Sequence, residues 1–534
     1  MNCLALEVDG DVLLVDAGVT FDSRGLGVDV VHPDFSCLER FEGRVRGLVL
    51  THGHEDHVGA VPYLLERFDV PVFGPPYALE LLRSRRGEHE VLGAMRCDEL
   101  VPGSRRRLGV FDLEAIRVAH SIADSLAFAF RTPAGMVVHT GDFRFDGTVA
   151  PAEQLDVARF RALGREGVSL LMSDSTNVLV DEDGVGEGEV AERLESVIAR
   201  ARGGVVLGMF ASNTVRLRRV GQIARATGRR IVPLGRSLLN HLQIARKLGY
   251  LPWPEELLWS AERLGELRRS EWLVLATGTQ AEDRSALRRL ANDEHHLLRL
   301  EGGDAVIFSS RVIPGHELAV TELIGGLLRQ GVEVITAGED PLLHASGHAT
   351  APDQRRMIQE TTPGALIPLH GTRLHLERHA SLARAEGVAS VAVAEDGDWI
   401  RLDGGALRLD GREAIGRVAR SNGRVLAASL LEDRRALAAE GIVVAVLQSY
   451  GAGTEPPQLA LASRGVFGSD DAEWNALQRA REEVRIVLAS ASREGGRKLD
   501  PATREEVRRA VRRAVQKVVG YRPVVHLEVL TRGA

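Results

Sequence analysis

The heptapeptide Thr51-His52-Gly53-His54-Glu55-Asp56-His57 is dense in side chains that bind metal ions. An apolar stretch typical of a buried β-strand stands directly before it, so the heptapeptide is predicted to form a tight loop at the end of a strand. Such a loop can direct His52 and His54 to one cation and Asp56 and His57 to another, because imidazole nitrogen and carboxylate oxygen are common ligands of Zn²⁺ and Mn²⁺. A solvated polar loop is the alternative interpretation.

Three more potential ligands, His120, Asp142 and His370, each follow an apolar stretch of their own. If these strands end at one edge of a sheet, their ligands meet the heptapeptide there. Asp142 follows Gly141 on a predicted turn and is expected to bridge two cations. A single histidine at a strand end is more often structural, but the repeated placement predicts a dinuclear metal centre. The predicted ligands are His52, His54, Asp56, His57, His120, Asp142 and His370.

Two polar residues near these ligands are assigned other roles. Asp16 ends another apolar stretch, and we expect its carboxylate to orient a ligand histidine by a hydrogen bond rather than to bind metal. His139 lies inside the strand that precedes Asp142 and is predicted to be a core residue.

The order of apolar stretches predicts an α/β protein of several domains, since 534 residues exceed the usual size of one hydrophobic core. Near residue 186 the pattern changes to longer helices between strands, as in a doubly wound sheet, and the motif-bearing loops resume after His344. The second domain is therefore predicted to be inserted into the first. The predicted boundaries are 1–185 and 346–425 for the first domain, 186–345 for the inserted domain, 426–440 for a linker and 441–534 for a small α+β domain.

Two local patterns are specific enough to be tested. Residues 391–409 are predicted to form a hairpin with turns at Asp396-Gly397 and Asp403-Gly404. Residues 504–519 are predicted to form an amphipathic helix with Val507, Val511 and Val515 on its apolar face.

Composition excludes several classes of protein. Cys3, Cys37 and Cys97 are far apart and form no Cys-x-x-Cys pair, which argues against disulfides and thiolate metal sites, and we expect them to be reduced and buried. No apolar stretch reaches the length of a membrane span, and the first residues do not resemble a secretory signal, so we expect a cytoplasmic protein. The net charge of -7 does not exclude RNA as a substrate, because a local basic channel can coexist with an acidic exterior.

The predicted metal ligands resemble those of the metallo-β-lactamase hydrolases. Asp174 in Ser173-Asp174-Ser175-Thr176-Asn177, His348 in His344-Ala345-Ser346-Gly347-His348-Ala349 and His370 in His370-Gly371-Thr372 resemble the three motifs of the β-CASP nucleases. Within that group the chain is similar almost from end to end to the bacterial ribonuclease J family. Further matching stretches are His120-Ser121-Ile122-Ala123-Asp124-Ser125, His139-Thr140-Gly141-Asp142-Phe143, Phe210-Ala211-Ser212-Asn213 and Thr277-Gly278-Thr279-Gln280.

This resemblance implies a metallo-β-lactamase αββα sandwich, an inserted α/β β-CASP domain and a C-terminal dimerisation domain. It implies a ribonuclease with 5′-to-3′ exonuclease activity that prefers 5′-monophosphate ends and with endonuclease activity, acting in RNA maturation, including rRNA processing, and in RNA decay. It also implies two Zn²⁺ or Mn²⁺ ions per chain, a homodimer or homotetramer formed through the C-terminal domain, and partners in RNA degradation.

The chain departs from the family pattern in three places. The family normally has a Gly-rich strand and turn before the equivalent of Asn2-Cys3-Leu4, where this chain begins, so we expect the strand near Cys3 to be an exposed sheet edge. Ala281 and Asp283 replace the usual Gly and Pro, and His316 replaces the usual Asn. These changes affect the expected contacts with RNA and leave the metal ligands intact.

The expected chemistry is hydrolysis of an RNA phosphodiester. Two cations lower the pKa of a water molecule and neutralise charge on the phosphoryl oxygens, and attack by water leaves 5′-phosphate and 3′-hydroxyl ends. We expect His348, Asp174 and Asp56 to take part in catalysis. His348 stands in a Ser-Gly-His turn where it can bind the scissile phosphate and protonate the leaving oxygen, with Asp174 orienting it.

Two loops are the candidates for binding RNA phosphates. The residues concerned are Ser212, Asn213, His344, Ala345, Ser346, Gly347 and His348. Arg216, Arg218 and Arg219 follow the first loop and could continue a phosphate track, although a general bias towards arginine explains their abundance equally well.

Three other functions compete with this hypothesis. A β-CASP nuclease acting on DNA would resemble a branch with Val in the last motif, where this chain has His370. A small-molecule metallo-hydrolase would not need the inserted domain or the motifs around Asp174 and His348. A non-catalytic RNA-binding scaffold would be expected to have lost ligands, and all seven predicted positions hold competent ligands.

Overall fold

The computed structural model describes residues 1–21, 25–450, 457–493 and 500–532. The chain divides into two compact units, one formed by Met1–Thr20 with His32–Arg417 and one by Phe21–Val31 with Val418–Ala534. This division keeps the first and the inserted domain in one unit, so the finer boundaries given above remain predictions. Among the described residues, no helix is both long enough and apolar enough to cross a membrane.

One central sheet of the first unit has five strands. Four of them run parallel, and the strand at one edge runs antiparallel to its neighbour. Their spatial order is Leu4–Val8, Asp11–Val15, Val45–Val49, Val72–Gly74 and Cys97–Glu99. The predicted edge position of the strand near Cys3 is confirmed, and the metal-binding heptapeptide directly follows the central strand Val45–Val49.

The second central sheet has seven strands and packs face to face on the first. Leu13 and Val15 of the first sheet meet Leu113, Phe128 and Phe130 of the second in one buried layer. In spatial order the strands are Ser390–Val391, Ala365–Leu369, Leu170–Asp174, Gly135–His139, Leu126–Thr132, Phe111–Arg117 and Arg105–Leu108.

Helices cover the outer faces of these two sheets. Val157–Glu166, Ala351–Thr361 and Arg373–Ala385 pack on the seven-stranded sheet through buried side chains such as Phe160 and Met357. On the other side, Pro76–Ser84 contacts the strand Cys97–Glu99 of the five-stranded sheet. The short helices Glu55–Val58 and Val61–Leu65 precede it in the chain. The predicted αββα sandwich is confirmed.

The strands that precede three of the functional loops are parallel neighbours. Gly135–His139 pairs with Leu170–Asp174, which pairs with Ala365–Leu369, so their carboxyl ends lie at one edge of the sheet. Asp142 follows the first of these strands and His370 follows the third. We predicted that His120 directly follows its strand, but the strand ends at Arg117, and His120 lies further along in the loop.

The inserted region forms a separate, wholly parallel sheet. Its order is Arg230–Leu234, Trp272–Ala276, Val205–Gly208, Ala305–Phe308 and Glu333–Thr336. Helices cover both faces of this sheet. Successive strand residues point to opposite faces, so Val205 and Leu207 are buried in one core and Val206 in the other. The helices are Glu187–Arg200, Thr214–Ala226, Arg236–Lys247, Ala286–Ala291 and Glu317–Arg329. The predicted doubly wound architecture is confirmed.

The hairpin predicted at 391–409 is only partly correct. Asp398–Asp403 and Ala406–Arg412 do pair antiparallel around the turn at Gly404. The strand Ser390–Val391, however, pairs in parallel with Ala365–Leu369. The helix Arg373–Ala385 connects these two strands as a crossover, which is why they run parallel. The turn at Asp396-Gly397 therefore precedes the hairpin instead of forming it.

The second unit has its own core. Gln458–Arg464, Ile442–Tyr450 and Val524–Arg532 form a sheet, and the helices Asp470–Arg493 and Pro501–Val519 accompany it. Val507, Val511 and Val515 are buried in one cluster with strand residues such as Val443, which confirms the predicted valine face. Arg417–Ser421 and Arg424–Leu426 form a small hairpin. The segment predicted as a linker contains the helix Ala428–Glu440, which buries no residue and is rich in strong helix formers.

The remaining strand, Val30–Pro33, forms a three-stranded sheet with that small hairpin and lies beside Arg417–Ser421. The short 3₁₀ turns are Phe35–Phe41, Glu90–Gly93, Glu255–Leu257, Ala261–Glu266, Arg269–Glu271 and Pro341–Leu343. The cysteine prediction was half right: Cys3, Cys37 and Cys97 are free thiols, but Cys3 is exposed and the other two are half-buried. Cys3 lies beside the edge strand, where no further strand of the described chain covers it.

Candidate metal centre

The heptapeptide changes from extended to helical backbone at His54, and this change directs its ligands to two different places. His54 has an extended backbone and caps the helix Glu55–Val58, so His52 precedes the helix while Asp56 and His57 lie within it. Gly53 permits the close approach of the neighbouring helix, because a Cβ atom there would lie 2.7 Å from Leu81 Cδ1. The side chains consequently project towards two places instead of one.

The first place is lined by His52, His54, His120 and Asp142, whose ligand atoms all lie within 4.8 Å of one another. His54 Nδ1 is 3.0 Å from His52 Nε2 and 3.1 Å from His120 Nε2. Asp142 Oδ2 lies 3.6 Å from His52 Nε2. We call these four residues the first ligand group. Three imidazoles and one carboxylate form a donor set typical of Zn²⁺.

The second place is lined by Asp56, His57 and His370, again with ligand atoms within 4.8 Å of one another. Asp56 Oδ2 lies 3.3 Å from His370 Nε2 and 3.5 Å from His57 Nε2. We call these three residues the second ligand group. Asp142 Oδ2 reaches this group too, at 3.3 Å from His57 Nε2 and 3.6 Å from His370 Nε2. One carboxylate oxygen therefore faces both groups, which is the geometry expected of a bridging ligand.

The donor atoms fit divalent cations for electrostatic reasons as well. Burial lowers the pKa values of His52 and His120 well below the usual histidine range and lowers the pKa of His54 to about 4. These imidazoles are therefore neutral, and each offers one nitrogen lone pair that can bind a cation. His370 Nε2 is also buried and makes no well-directed hydrogen bond among the described residues.

A carboxylate outside the two groups holds His57 in place. Asp16 Oδ2 accepts hydrogen bonds from His57 Nδ1 and Thr51 Oγ1, both at 2.8 Å, and Asp16 Oδ1 accepts one from the Thr51 amide at 2.8 Å. His57 Nε2 is thereby left facing the second ligand group. The expectation that Asp16 orients a histidine, rather than binding metal itself, agrees with these contacts.

Two residues at strand ends adopt backbone conformations that only glycine adopts readily. Asp16 has φ +60° and His370 has φ +54°. Left-handed backbone at a residue other than glycine costs about 1 to 3 kcal/mol and is tolerated mainly where the surroundings require the side chain to point in one direction. Both side chains point to the metal centre or to one of its ligands.

His139 is buried, as predicted, but it also contributes to the site. Its Nδ1 accepts a hydrogen bond of 3.0 Å from the Gly141 amide, and this contact helps to shape the turn that carries Asp142. The sequence signal for this role is the position of His139 two residues before Gly141.

His348 and Asp174 are adjacent, as expected. His348 Nδ1 donates to Asp174 Oδ2 at 2.9 Å, and Asp174 Oδ1 accepts a hydrogen bond of 2.9 Å from the Thr176 amide. Burial lowers the pKa of His348, but the carboxylates of Asp174 and Asp142 outweigh burial and raise it to about 9. With Nδ1 bound to Asp174, His348 Nε2 is the ring atom available to a substrate.

The residues of the predicted phosphate-binding loops differ in exposure. Ala345 is buried, while Ser212, His344, Ser346 and Gly347 are half-buried. The side chain of Asn213 is used within the protein: Oδ1 caps the helix Thr214–Ala226 by accepting from the Arg216 amide at 2.9 Å, and Nδ2 lies 3.4 Å from Glu187.

The proposed arginine track is wrong for Arg216. Its guanidinium is buried and paired with Glu187 at 2.8 Å, so it cannot reach an RNA phosphate. Arg218 is paired with Glu153 and donates to the Tyr250 carbonyl at 3.0 Å. Arg219 donates to Gln222 at 3.3 Å. Sequence spacing could not reveal this, because the helix turns Arg216 towards the core.

The departures from the family pattern lie together in the inserted sheet region. Ala281 has φ +58°, a left-handed conformation in which glycine is favoured, and it follows Gln280. His316 Nδ1 lies 3.2 Å from the carbonyl of Gln280, and Gln280 Oε1 accepts from the Ile313 amide at 2.8 Å. The substituted residues thus surround one loop and lie outside both ligand groups.

The fold and the ligand groups define a metallo-β-lactamase hydrolase that carries an inserted parallel α/β domain, and comparison with known proteins agrees. The metallo-β-lactamase superfamily matches residues 2–167, the ribonuclease J β-CASP domain 202–327, a Zn-dependent metallo-hydrolase RNA specificity domain 336–393 and the ribonuclease J C-terminal domain 429–531. The chain belongs to the ribonuclease J family and is a nuclease of the metallo-β-lactamase and β-CASP type.

Relatives support this membership over most of the chain. The ribonuclease J of Sinorhizobium meliloti is 34% identical, covering 96% of this chain and 91% of the relative. That of Mycobacterium tuberculosis is 34% identical over 97% of this chain and 92% of the relative, and that of Synechocystis sp. is 33% identical over 90% and 81%. A solved structure of a protein of unknown function from Enterococcus faecalis has the same fold, with a TM-score of 0.51, 15% identity and coverage of 70% of this chain and 92% of that one.

The first prediction concerns Asp142→Ala. Removal of the carboxylate that faces both ligand groups should lower metal content from two ions per chain to less than one, measured by elemental analysis of dialysed protein. Asp112→Ala, on the strand Phe111–Arg117 of the same sheet, serves as control and should keep both ions. Two full equivalents in the Asp142 variant would contradict a bridging role.

The second prediction concerns Asp16→Asn. Loss of the charge that holds His57 should weaken metal binding at the second ligand group by about 10- to 100-fold, with the first group largely unaffected. Chelator competition titrations can resolve the two affinities. Asp11→Asn is the matched control, since Asp11 begins the strand that Asp16 follows but pairs with Arg46 at the surface. Equal affinities in the two variants would show that Asp16 does not support the site.

Proposed function

We propose that this chain hydrolyses RNA phosphodiesters with two divalent cations, Zn²⁺ or Mn²⁺, acting both as a 5′-to-3′ exonuclease and as an endonuclease. The observation that carries the proposal is the position of Asp142 Oδ2 within 3.3 to 3.8 Å of imidazole nitrogens from both ligand groups. In this proposal the first cation is held by His52, His54, His120 and Asp142, and the second by Asp56, His57, Asp142 and His370.

When bound, the two cations lower the pKa of a water molecule and neutralise charge that develops on the phosphoryl oxygens. The exposure of the ligand side chains indicates the side from which substrate would reach the metal centre. The side chains of His52, His120 and Asp142 are almost fully buried, whereas those of Asp56, His370 and His348 are 39%, 21% and 22% exposed. The scissile phosphate would approach over these three partly exposed residues, which agrees with the catalytic roles predicted for Asp56 and His348.

His348 would act on the substrate and not as a metal ligand. Its Nδ1 is bound to Asp174, which leaves Nε2 to contact a phosphoryl oxygen and to pass a proton to the leaving 3′ oxygen. Asp174 would hold the ring in this orientation without touching the substrate, since its side chain is buried.

Contacts between the two domains favour a polymeric substrate. The amide of Ala123, in the loop that begins at His120, donates to Thr214 Oγ1 of the inserted domain at 2.8 Å. The inserted domain therefore stands beside the metal centre and extends its surface, which a small substrate would not require. RNA is favoured over DNA because the RNA specificity domain matches the segment that holds both His348 and His370.

Several finer properties remain proposals that rest on the family resemblance. They are the roles in RNA maturation and decay, the homodimer or homotetramer formed through the C-terminal domain, the partners in RNA degradation and the cytoplasmic location.

The third prediction separates His348 from the metal ligands. His348→Ala should retain both metal ions but lose hydrolysis by about 100-fold or more, because a positioned acid–base group is removed. The measurement is single-turnover cleavage of labelled RNA alongside elemental analysis. His296→Ala, an exposed histidine of the inserted domain, is the control and should keep full activity. A metal-depleted His348 variant would place this residue among the ligands instead.

The fourth prediction concerns the 5′ end of the substrate. If the 344–348 loop and Ser212 form a pocket for a terminal phosphate, RNA with a 5′-monophosphate should be degraded faster than RNA with a 5′-triphosphate, because the single phosphate aligns the next linkage with the metal centre. The measurement is the release of mononucleotides under single-turnover conditions, with internal cleavage of the same RNA as control. Equal rates on both ends would show that there is no such pocket.

A further inference from the structure

The backbone of the 344–348 loop is held through consecutive carbonyl groups. The Ala345 carbonyl accepts from Arg216 Nη2 at 3.2 Å, and the Ser346 carbonyl accepts from Arg144 Nη1 at 2.8 Å. The Gly347 carbonyl accepts from His120 Nδ1 at 2.6 Å. Two arginines therefore donate hydrogen bonds to the loop backbone at the two residues before Gly347, whose carbonyl contacts the predicted metal ligand His120.

Both arginines are buried, and each has a buried counter-ion. Arg144 pairs with Asp146, and Arg216 pairs with Glu187 at 2.8 Å. The two pairs are joined, since the Glu187 amide donates to Asp146 Oδ2 at 3.0 Å. The network connects three parts of the chain: the loop that carries Asp142, the start of the helix Glu187–Arg200 and the helix Thr214–Ala226 of the inserted domain.

Stability alone does not explain this network. Burial of two ion pairs costs free energy through desolvation, and well-packed apolar side chains often stabilise a protein as much or more. A guanidinium offers something that apolar groups and lysine do not, because its planar fork donates to a carboxylate and to carbonyl oxygens at the same time. Arg144 uses this fork on Asp146, Ser346 and the Val185 carbonyl, the last at 3.4 Å.

The 344–348 loop has little space beside the His120 ring. A Cβ atom on Gly347 would lie 2.6 Å from His120 Cε1, so the loop backbone is in direct contact with the imidazole ring. The bond from His120 Nδ1 to the Gly347 carbonyl leaves His120 Nε2 facing the first ligand group. The next residue, His348, must at the same time reach Asp174.

We propose that Arg144 and Arg216 are positioning residues, which clamp the 344–348 loop so that the Gly347 carbonyl fixes the ring of His120 and His348 meets Asp174. This inference rests on the proposed function for its effect on hydrolysis, but its effect on metal binding is independent of substrate. A loop shifted by the loss of one arginine would loosen both histidines together.

The test replaces Arg144 by lysine, which keeps a positive charge for Asp146 but loses the fork. In the full chain, Arg144→Lys should lower kcat on 5′-monophosphorylated RNA by about 10- to 100-fold, the size expected for a small misplacement of catalytic groups. It should also weaken Zn²⁺ binding at the first ligand group by about 10-fold or more, measured by chelator competition without RNA. Arg216→Lys should shift both quantities in the same direction.

The matched control is Arg229→Lys. Arg229 is also buried and donates to carbonyl oxygens, among them those of Ala201 at 2.6 Å and Trp272 at 2.8 Å, but it lies within the inserted domain and contacts neither the loop nor the ligands. This variant should lose thermal stability while keeping kcat and Zn²⁺ affinity. If Arg144→Lys behaves in the same way as Arg229→Lys, the arginines have only a structural role and the proposal is overturned.

A second variant covers the case in which the buried charge change prevents folding. Gly347→Ala leaves both ion pairs intact and should still weaken Zn²⁺ binding at the first group, because the added methyl group displaces His120. Unchanged Zn²⁺ affinity in Gly347→Ala would refute the link between the loop and the metal site. If the parent protein binds two Zn²⁺ but does not cleave RNA, the proposed function fails, while the affinities still decide whether the clamp exists.

Discussion

The carboxylate of Asp142 is buried among five imidazole rings, and the surrounding structure is arranged to accommodate it. A buried charge is costly unless it is paired and hydrogen-bonded, so this oxygen requires positive partners on both sides. Burial lowers the pKa of His57, but the carboxylates of Asp142, Asp56 and Asp16 outweigh burial and raise this pKa well above the usual histidine value. The first ligand group instead offers neutral rings. Cations on both sides of Asp142 would satisfy the carboxylate and the unshared lone pairs together.

The two central sheets supply this arrangement because their strands end where the ligands are needed. Three parallel neighbours bring Asp142, Asp174 and His370 to one edge, and the five-stranded sheet contributes Asp16 and the heptapeptide from the facing edge. The apolar layer between the sheets fixes the distance between those edges. Asp16 and His370 adopt a strained left-handed backbone that directs both side chains inward. The packing of the sheets stabilises this conformation.

The inserted domain is linked to the metal centre through the 344–348 loop, whose Gly347 carbonyl contacts His120. This loop follows the last strand of the inserted sheet and precedes the helix Ala351–Thr361 of the sandwich, so it belongs to the junction of the two domains. Arg144 reaches it from the sandwich and Arg216 from the inserted domain. Any shift of one domain against the other would therefore move the Gly347 carbonyl relative to His120, and the buried ion pairs resist such a shift.

The sequence by itself was enough to predict the candidate metal ligands and the class of chemistry. Clustered histidines and carboxylates after apolar strands are a local signal, and the motifs around Asp174, His348 and His370 identified the family before any distance was known. The alternation of strands and helices was likewise enough for the layered sandwich and the doubly wound insertion, because periodicity is also a local property. Only the tertiary structure decided that Asp142 Oδ2 lies within 3.3 to 3.8 Å of imidazole nitrogens from both ligand groups, that Arg216 and Asn213 face the interior, and that Arg144 holds a carbonyl 202 positions away. These outcomes depend on side chains from distant parts of the chain that meet at one place, and no spacing along the sequence encodes their distance in space.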